Sequence, residues 1–277
     1  MISMIGFIAD IEFVWGFQCK IVGLSKSSPS FYYIPPTVIL GSIAESIAKE
    51  HDLGEENGKS IIPKLSTNLL AIGIRPLNCI PLRFSDINKL IAIKQTAGKL
   101  YPDPNNLAAS FDAPSVGKTM LSTIDSNPPT LRCFIVFKND KINFNDNEFV
   151  IDKDAFWCIH RLGSKESRVS VTDVEVFEPE IVDKKCTTNY SFPFLDGISP
   201  KMIKEYKWIE ENYINPFALL NYDKHNNPIR YYLEGKNILR FKLPYLISSS
   251  KPEYIVEFSN NIIAYKHKEE VVIGKCQ

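Results

Sequence analysis

The stretch His160-Arg161-Leu162-Gly163-Ser164-Lys165-Glu166-Ser167-Arg168 separates a short helical pattern from a valine-rich strand. Before it, Asp152 is a suitable N-cap for a helix whose apolar residues share one face: Ala155, Phe156 and Ile159. After it, residues 169–176 alternate between valine and polar side chains, with a one-residue slip near the middle. The sequence therefore predicts a helix, a loop and a strand in that order.

The loop carries three cations, two serine hydroxyls and one glycine: Arg161, Gly163, Ser164, Lys165, Ser167 and Arg168. Gly163 is predicted to end the preceding helix, because glycine enters the left-handed region at little steric cost. The combination suits a phosphate backbone, since backbone amides and Arg or Lys supply donors without reading a base. The alternative is a helix C-cap with solvated charges, and composition alone favours that alternative.

Length and charge limit the classes of function. The 277 residues are sufficient for one large domain or two smaller ones, and 44% hydrophobic and 23% charged residues are typical of a soluble globular protein. The 32 basic and 32 acidic residues cancel, whereas a general polyanion binder is usually basic. Any binding of nucleic acid is therefore expected to be local or shared with partner subunits.

Cysteine spacing and the first residues give further expectations. The six cysteines contain no Cys-x-x-Cys pair, so we expect buried free thiols, no metal site, no disulfide framework and no cofactor. The apolar residues 1–17 include Asp10 and Glu12 and lack a basic start, which argues against a signal peptide or a membrane span. A cytoplasmic protein that does not contact a membrane is the resulting prediction.

Three strands and one helix are predicted from periodicity in the first half of the chain. Residues 5–17 alternate with period two, and Gly16 indicates a bend or a close backbone approach. Trp15 could stack on a base, although an aromatic residue on the apolar face is more often part of the core. A helix with one apolar stripe follows Pro35-Pro36, then come strands at residues 69–74 and 131–137. The last of these is apolar on both faces and is predicted to be central.

Two segments between these elements are less regular. Residues 55–60 are predicted to be a polar loop. Residues 76–129 are turn-rich, and an insertion of that length is expected to be functional or to form its own hairpin. Lys94 and Lys99 flank an Ala97-Gly98 turn, so they are predicted to lie near a hairpin tip, either solvated or in contact with nucleic acid.

The order of elements predicts an α+β fold. Strand, helix, strand, insertion, strand, helix and strand correspond to the βαββαβ topology of ferredoxin-like or RRM domains, with helices on one face of an antiparallel sheet. The third strand lacks the aromatic pattern with which ordinary RRMs stack bases, so loops and the insertion are expected to carry any RNA contact. We place this domain at residues 1–178 and a small strand-rich unit at residues 179–277.

The C-terminal unit is predicted from composition and turn signals. Ser199-Pro200 is taken as a helix start, with an apolar face that continues to Tyr213. Residues 229–233 and 238–243 are predicted to form a hairpin across Glu234-Gly235-Lys236-Asn237. Three further strands complete the unit, at residues 254–258, 262–265 and 271–273.

Three blocks of sequence resemble one known family. They are Trp15-Gly16-Phe17, Ser30-Phe31-Tyr32-Tyr33-Ile34-Pro35-Pro36-Thr37 and Arg161-Leu162-Gly163-Ser164-Lys165-Glu166-Ser167. In this order they resemble the Cas5 family of CRISPR-associated proteins in the RAMP superfamily, and within it the archaeal type I-A members. The resemblance covers roughly residues 5–178. It implies an RRM-like domain with a thumb, which would lie within residues 76–129.

The resemblance also implies a function in antiviral defence. Members of the family hold the 5′ repeat-derived handle of CRISPR RNA inside the Cascade complex. Carried over, the 161–168 loop would contact RNA phosphates, while Tyr32 and Tyr33 would lie near the RNA or a neighbouring subunit. The implied partners are CRISPR RNA, the Cas7 backbone, the large subunits and, through the complex, the effector helicase–nuclease.

Two alternatives remain open at this point. Some relatives, those of type I-C, are metal-independent endoribonucleases that cut the repeat RNA. Such cleavage needs a base for the 2′-hydroxyl and an acid or cation for the leaving oxygen. His160, next to the loop, is the weak catalytic candidate here, while the Lys224-His225 and Lys266-His267 pairs lie in the C-terminal unit. The resemblance favours a non-catalytic subunit. The second alternative is a scaffold that contacts proteins alone, with which the zero net charge is compatible.

Overall fold

The fold is described from a computed structural model. The described residues are 4–21, 28–87, 90–91, 95–96, 99–100, 111–112, 115–145, 147–195, 198–202, 208–223, 225–246, 252–258 and 262–276. Four helices are present in this part of the chain: α1 Pro36–Glu50, α2 Gly54–Asn68, α3 Lys153–Trp157 and α4 Pro228–Glu234. None of them is both long enough and apolar enough to cross a bilayer.

The strands of the first half of the chain are β1 Ile5–Phe13, β2 Gly16–Phe17, β3 Leu69–Pro76, β4 Cys79–Ile87, β5 Leu90–Ile91, β6 Gln95–Thr96, β7 Lys99–Leu100, β8 Phe111–Asp112, β9 Ser115–Thr123 and β10 Thr130–Phe137. The later strands are β11 Lys141–Phe144, β12 Asn147–Val150, β13 Val169–Phe177, β14 Glu180–Val182, β15 Lys185–Thr188, β16 Phe192–Pro193, β17 Ile198–Met202, β18 Trp208–Ile214, β19 Ile238–Pro244, β20 Tyr254–Phe258, β21 Ile262–His267 and β22 Glu270–Lys275. The protein is thus a mixed α and β structure that is dominated by strands.

Seven strands form the main sheet in the order β13-β1-β10-β3-β22-β21-β14, and every neighbouring pair is antiparallel. The predicted strands at residues 69–74 and 131–137 are confirmed, and β10 is central as expected. The slip in the valine-rich strand is a β-bulge, because the register of β13 on β1 shifts between Asp10 and Ile11. The first predicted strand divides into β1 and the short β2.

Helix α1 matches the prediction, and its apolar stripe is buried against the sheet: Ile39, Leu40, Ile43, Ala44 and Ile47. The polar loop predicted for residues 55–60 is wrong, because these residues belong to α2. Helix α2 buries little of its surface, chiefly Ile61 and Leu65, and packs on α1 where Gly58 leaves room for Ala48. The predicted Asp152 cap of α3 is confirmed, since its carboxylate accepts from the backbone N–H groups of Asp154 and Ala155.

The insertion contains a long hairpin. Strands β4 and β9 pair from Cys79 opposite Thr123 to Ile87 opposite Ser115, and β2 joins the other edge of β9. The bend expected at Gly16 is present: its φ is +148°, and a Cβ there would lie 2.1 Å from the Thr119 carbonyl oxygen. A hairpin is therefore confirmed within residues 76–129.

The C-terminal part differs from the prediction in two places. The segment predicted to form a helix from Ser199 contains β17 and β18, and β17 pairs with β20. The segment predicted as the first arm of a hairpin, residues 229–233, is in α4, and Gly235 ends that helix in the left-handed conformation. The three last strands are confirmed. The boundary near residue 178 stays a prediction, although β22 pairs with β3 and so continues the main sheet.

The sheet face opposite α1 is closed by side chains and by a network of charges. Tyr190, Tyr265 and Phe177 pack over the middle of this face. Beside them, Arg132 forms two hydrogen bonds with Asp10 at 2.6 Å, and Glu270 bridges Arg132 and Arg75 at 3.0 and 2.5 Å. This face is therefore occupied by protein, which leaves the loops and the β4–β9 hairpin as the accessible surfaces next to the sheet edge.

Candidate nucleic-acid interface

The 161–168 loop is closed by its own backbone. The N–H of Leu162 donates to the Ser167 carbonyl at 3.0 Å, and the N–H of Val169 donates to the His160 carbonyl at 3.1 Å. Inside this frame, the N–H of Ser167 donates to the Ser164 carbonyl at 3.0 Å. The loop therefore has a fixed shape before any ligand binds.

Hydrogen bonds fasten the loop to the segment that follows β1. The N–H of Ser164 donates to the Gln18 carbonyl at 3.1 Å, and the N–H of Gln18 donates to Ser167 Oγ at 2.9 Å. The indole N–H of Trp15 donates to the Glu166 carbonyl at 2.9 Å. Two of the blocks that carry the family resemblance thus contact each other. Trp15 is only half-buried, which does not match the prediction of a core residue.

Gly163 has a role that differs from the predicted one. Helix α3 ends at Trp157, so Gly163 does not terminate it. Instead, Gly163 has a φ of +113° and faces residues 18 and 19, where a Cβ would lie 2.8 Å from the Gln18 oxygen and 2.9 Å from Cys19 Sγ. The position requires glycine because the loop lies directly on the neighbouring backbone.

The charged side chains of the loop have different surroundings. Lys165 and Arg168 are exposed, whereas Arg161 is partly buried and forms an ion pair with Glu45 at 3.3 Å. Glu166 accepts a hydrogen bond from Ser164 Oγ at 2.8 Å, and this bond, with the nearby Lys118 and Lys165, lowers its pKa. Two cations of the loop therefore point outward beside one carboxylate.

Ser167 and Gly163 help to fix the conformation of the loop. Ser167 is fully buried and Gly163 lies against Gln18, so neither presents a hydroxyl or a free face to the surface. The N–H groups of Ser164, Ser167 and Arg168 donate within the protein, to Gln18, Ser164 and Glu166. Contact with phosphates would consequently fall on Lys165 and Arg168. The RNA-binding roles predicted for the loop residues stay predictions.

Tyr32 and Tyr33 differ in exposure. Tyr33 is 1% exposed and donates its hydroxyl to the Pro244 carbonyl at 2.6 Å, so its ring is not on the surface. Tyr32 is half-buried, and the guanidinium of Arg83 lies over its ring at 4.4 Å. Sequence reasoning missed Arg83, because no individual strand was predicted within the insertion that contains it.

A buried carboxylate holds the two tyrosines in place. Glu211 accepts from the backbone N–H of Tyr32 at 2.9 Å, from that of Tyr33 at 3.3 Å and from the Tyr213 hydroxyl at 2.6 Å. Burial raises the pKa of Glu211, and the donated hydrogen bonds and Arg83 oppose that shift. This anchor joins the C-terminal part of the chain to the start of α1, and no sequence pattern predicted it.

The other predicted residues are placed as follows. His160 is exposed, with Nδ1 3.3 Å from the Cys158 carbonyl oxygen. Lys99 is in β7, which pairs with β6 across the predicted turn, and Lys94 lies outside the described residues. Four cysteines are buried, as expected, while Cys158 and Cys276 are exposed. Within the described ranges, no group of three or more His, Cys, Asp or Glu side chains is arranged to hold a metal ion.

Comparison with known proteins gives consistent results. No family model matches the chain. It is 25% identical over 223 residues to the CRISPR system aCascade subunit Cas5 1 of Saccharolobus solfataricus, covering 79% of this chain and 83% of that protein. It is 24% identical over 228 residues to the CRISPR-associated protein Cas5 3 of the same organism, with the same coverage. A crystal structure of a CRISPR protein from Archaeoglobus fulgidus matches with a TM-score of 0.70 and 40% identity, covering 98% of this chain and 100% of that one.

Proposed function

Because the chain belongs to the Cas5 family of CRISPR-associated proteins, we propose that it is an RNA-binding subunit of a CRISPR effector complex. Within a type I Cascade, it would hold the 5′ repeat-derived handle of CRISPR RNA. The observation that carries this proposal is the 161–168 loop, which presents Lys165 and Arg168 to solvent on a backbone that hydrogen bonds fix to the segment after β1. Such a loop binds phosphates with little loss of conformational entropy.

The sheet supports the choice of a loop as the binding element. The order β13-β1-β10-β3 is the strand order expected of a βαββαβ domain, which favours the RRM-like interpretation. Ordinary RRMs bind RNA on the open sheet face. Here Tyr190, Arg132 and Glu270 occupy that face, so an RNA strand would pass along the loop and the β4–β9 hairpin instead.

Charge supports a shared rather than a free-standing site. The 32 basic and 32 acidic residues leave no net attraction for a polyanion, and the two exposed loop cations supply a small local contact. If this subunit holds one end of the RNA strand and other subunits bind along its length, two cations at this site are sufficient. We therefore place CRISPR RNA, a Cas7-type backbone and a large subunit among its partners, with an effector helicase–nuclease reached through the complex.

The test replaces both exposed cations. Lys165→Ala with Arg168→Ala is expected to weaken binding of labelled handle RNA and to reduce the salt slope of log Kd by about 1.4, since each phosphate contact on single strands contributes about 0.7. The matched control is Arg230→Ala with Lys236→Ala, which removes two exposed cations of the α4 region and changes net charge equally. An unchanged affinity and an unchanged slope for the loop variant would overturn the proposal.

A further inference from the structure

An open groove of about 640 Å³ adjoins the loop, where β1, β2, β9 and β13 meet. Its apolar lining consists chiefly of Val14, Trp15, Met120, Pro129 and Val169, and we refer to it as the Trp15 groove. The carboxylate-bearing Glu12 and the hydroxyl-bearing Ser170 also line it. The groove therefore combines an aromatic wall with a few polar groups at its margin, as small-molecule and base sites commonly do.

The groove exposes apolar surface that folding has not covered. Val14 is 75% exposed and Met120 is 44% exposed. The apolar surface continues onto the hairpin, where Leu82 lies opposite Met120 and Phe84 lies opposite Lys118. Leu82 and Phe84 are both 42% exposed. A contiguous apolar surface of this kind usually marks a binding site.

The groove and the cationic loop are parts of one structural unit. Trp15 lines the groove with its ring while its indole N–H donates to the Glu166 carbonyl of the loop. The N–H of Val14, which also lines the groove, donates to the Arg168 carbonyl at 3.3 Å. An occupant of the groove would therefore lie next to the backbone of the loop that carries Lys165 and Arg168.

We propose that the Trp15 groove binds one unpaired nucleobase of the RNA strand whose phosphates contact Lys165 and Arg168. The inference rests on the proposed function and extends it from the phosphates to a base. A ligand that is anionic on one side and a flat apolar ring on the other fits a cationic loop next to an aromatic wall. Trp15 supplies the stacking surface, and Glu12 accepts from an exocyclic amino group, which favours adenine, cytosine or guanine over uracil.

A protein partner is the competing occupant of an apolar groove. The charges favour RNA, since the loop to which Trp15 is hydrogen-bonded also carries the two exposed cations, Lys165 and Arg168. Binding of a protein partner would weaken when apolar area is removed from the groove, whichever base the RNA carries. The nucleobase proposal instead requires that the effect of Trp15 depend on one base.

The experiment uses the full chain and handle RNA in which one base at a time is replaced by an abasic site. At one position the abasic site is expected to weaken binding to the wild type about tenfold, the order of one base–aromatic stack, and to have no further effect on Trp15→Ala. Trp15→Phe keeps the ring but loses the N–H, so it should bind within about twofold of wild type. Tyr222→Ala is the matched control, because Tyr222 is a 75% exposed aromatic residue in the C-terminal part.

Several outcomes would overturn the proposal. If every abasic site lowers the affinity of the wild type and of Trp15→Ala by equal factors, no base lies on Trp15. If Trp15→Phe binds as weakly as Trp15→Ala, the indole N–H supports the loop and stacking is not involved. If either result is found while the Lys165→Ala/Arg168→Ala variant binds handle RNA more weakly than the wild type, only the nucleobase proposal for the Trp15 groove is refuted. When that loop variant also binds normally, the proposed function fails as well.

A second variant protects the test against misfolding of Trp15→Ala. Met120→Glu places a carboxylate in the groove at a position that is 44% exposed, whereas Trp15 is half-buried and bonded to the loop. We expect it to weaken binding of intact handle RNA more than binding of the RNA that is abasic at the sensitive position. Equal weakening of both RNAs would count against a base in the groove.

Discussion

The hydroxyl of Ser167 accepts a hydrogen bond at 2.9 Å from the backbone N–H of Gln18, a residue 149 positions earlier in the chain. Ser167 is fully buried, so its replacement by alanine leaves a buried donor unsatisfied. We predict that Ser167→Ala lowers the free energy of unfolding by about 1–2 kcal/mol, measured by denaturant titration. Ser60→Ala, which removes a partly exposed hydroxyl bonded to Glu56, should cost less than about 0.5 kcal/mol. Equal losses in the two variants would contradict this role for Ser167.

Gly163 is predicted to tolerate no side chain. Gly163→Ala would bring a Cβ within 2.9 Å of Cys19 Sγ while holding a φ of +113°, so we expect a loss of about 2–4 kcal/mol and weaker RNA binding. Gly54→Ala is the control, because Gly54 also has a positive φ of +74° but has open space around it. Its cost should stay near 1 kcal/mol. A melting temperature that falls equally in both variants would show that backbone conformation, not the contact with residue 19, sets the requirement.

These two residues also show where sequence reasoning reached its limit. The helix before the loop and the strand after it were predictable, because a capped apolar stripe and an alternation of valines are local patterns. The reason for Gly163 was not, since the atoms that exclude a Cβ belong to residues 18 and 19. The loop was thus predicted as a candidate site, while its fixed shape depends on contacts that are distant in sequence.

Elements with weak local patterns were missed for related reasons. Helix α2 has a largely polar sequence with Pro63 inside it, so its short apolar stripe gave little signal. Strand β17 was predicted to be helical because Ser199-Pro200 is typical of a helix start. Its pairing partner, β20, lies more than fifty residues away and so left no local signal for a strand. Helix α4 did carry a local signal that was overlooked. Asn227 is its N-cap and accepts from the Arg230 N–H, Pro228 is its first residue, and Gly235 ends it.

The buried Glu211 should make stability depend on pH. Burial raises its pKa above the value of 4.5 in the unfolded chain, so the folded state binds the proton more tightly. The contribution to stability is fully present below about pH 4.5 and is lost as the pH rises through the folded pKa. We predict that the free energy of unfolding falls more steeply with rising pH in the wild type than in Glu211→Gln, as measured by urea titrations from pH 4 to 8. Parallel curves would contradict the shift.

The Arg75–Glu270–Arg132 network should show the opposite dependence on pH. Burial raises the pKa of Glu270, but the hydrogen bonds and charges of Arg75 and Arg132 outweigh this, so its pKa is lowered. Glu270 therefore stabilises the fold above the unfolded pKa, and the stabilisation is lost as the pH falls through the folded pKa. Glu270→Gln should cost on the order of 3 kcal/mol at neutral pH, since it removes the carboxylate that the buried Arg75 and the partly buried Arg132 share.

The control for this prediction is an exposed ion pair. Glu148→Gln removes the partner of Lys141 at the surface, where both side chains are about half exposed, and should cost less than about 0.5 kcal/mol. The acid limb of the stability curve should also flatten in Glu270→Gln and stay unchanged in Glu148→Gln. Equal effects of the two substitutions at neutral pH would show that the network on the closed sheet face contributes no more than a surface pair.

His160 is predicted to be dispensable for any action on RNA. Cleavage would need a base near a 2′-hydroxyl and an acid or cation near the leaving oxygen of the same phosphate. His160 is exposed with its Nδ1 near the Cys158 carbonyl, and the adjacent Arg161 is directed to Glu45. We expect purified protein to leave labelled repeat RNA intact in EDTA on a denaturing gel, and His160→Ala to bind handle RNA as the wild type does. A discrete cut product that disappears in His160→Ala would replace the binding subunit with a metal-independent endoribonuclease.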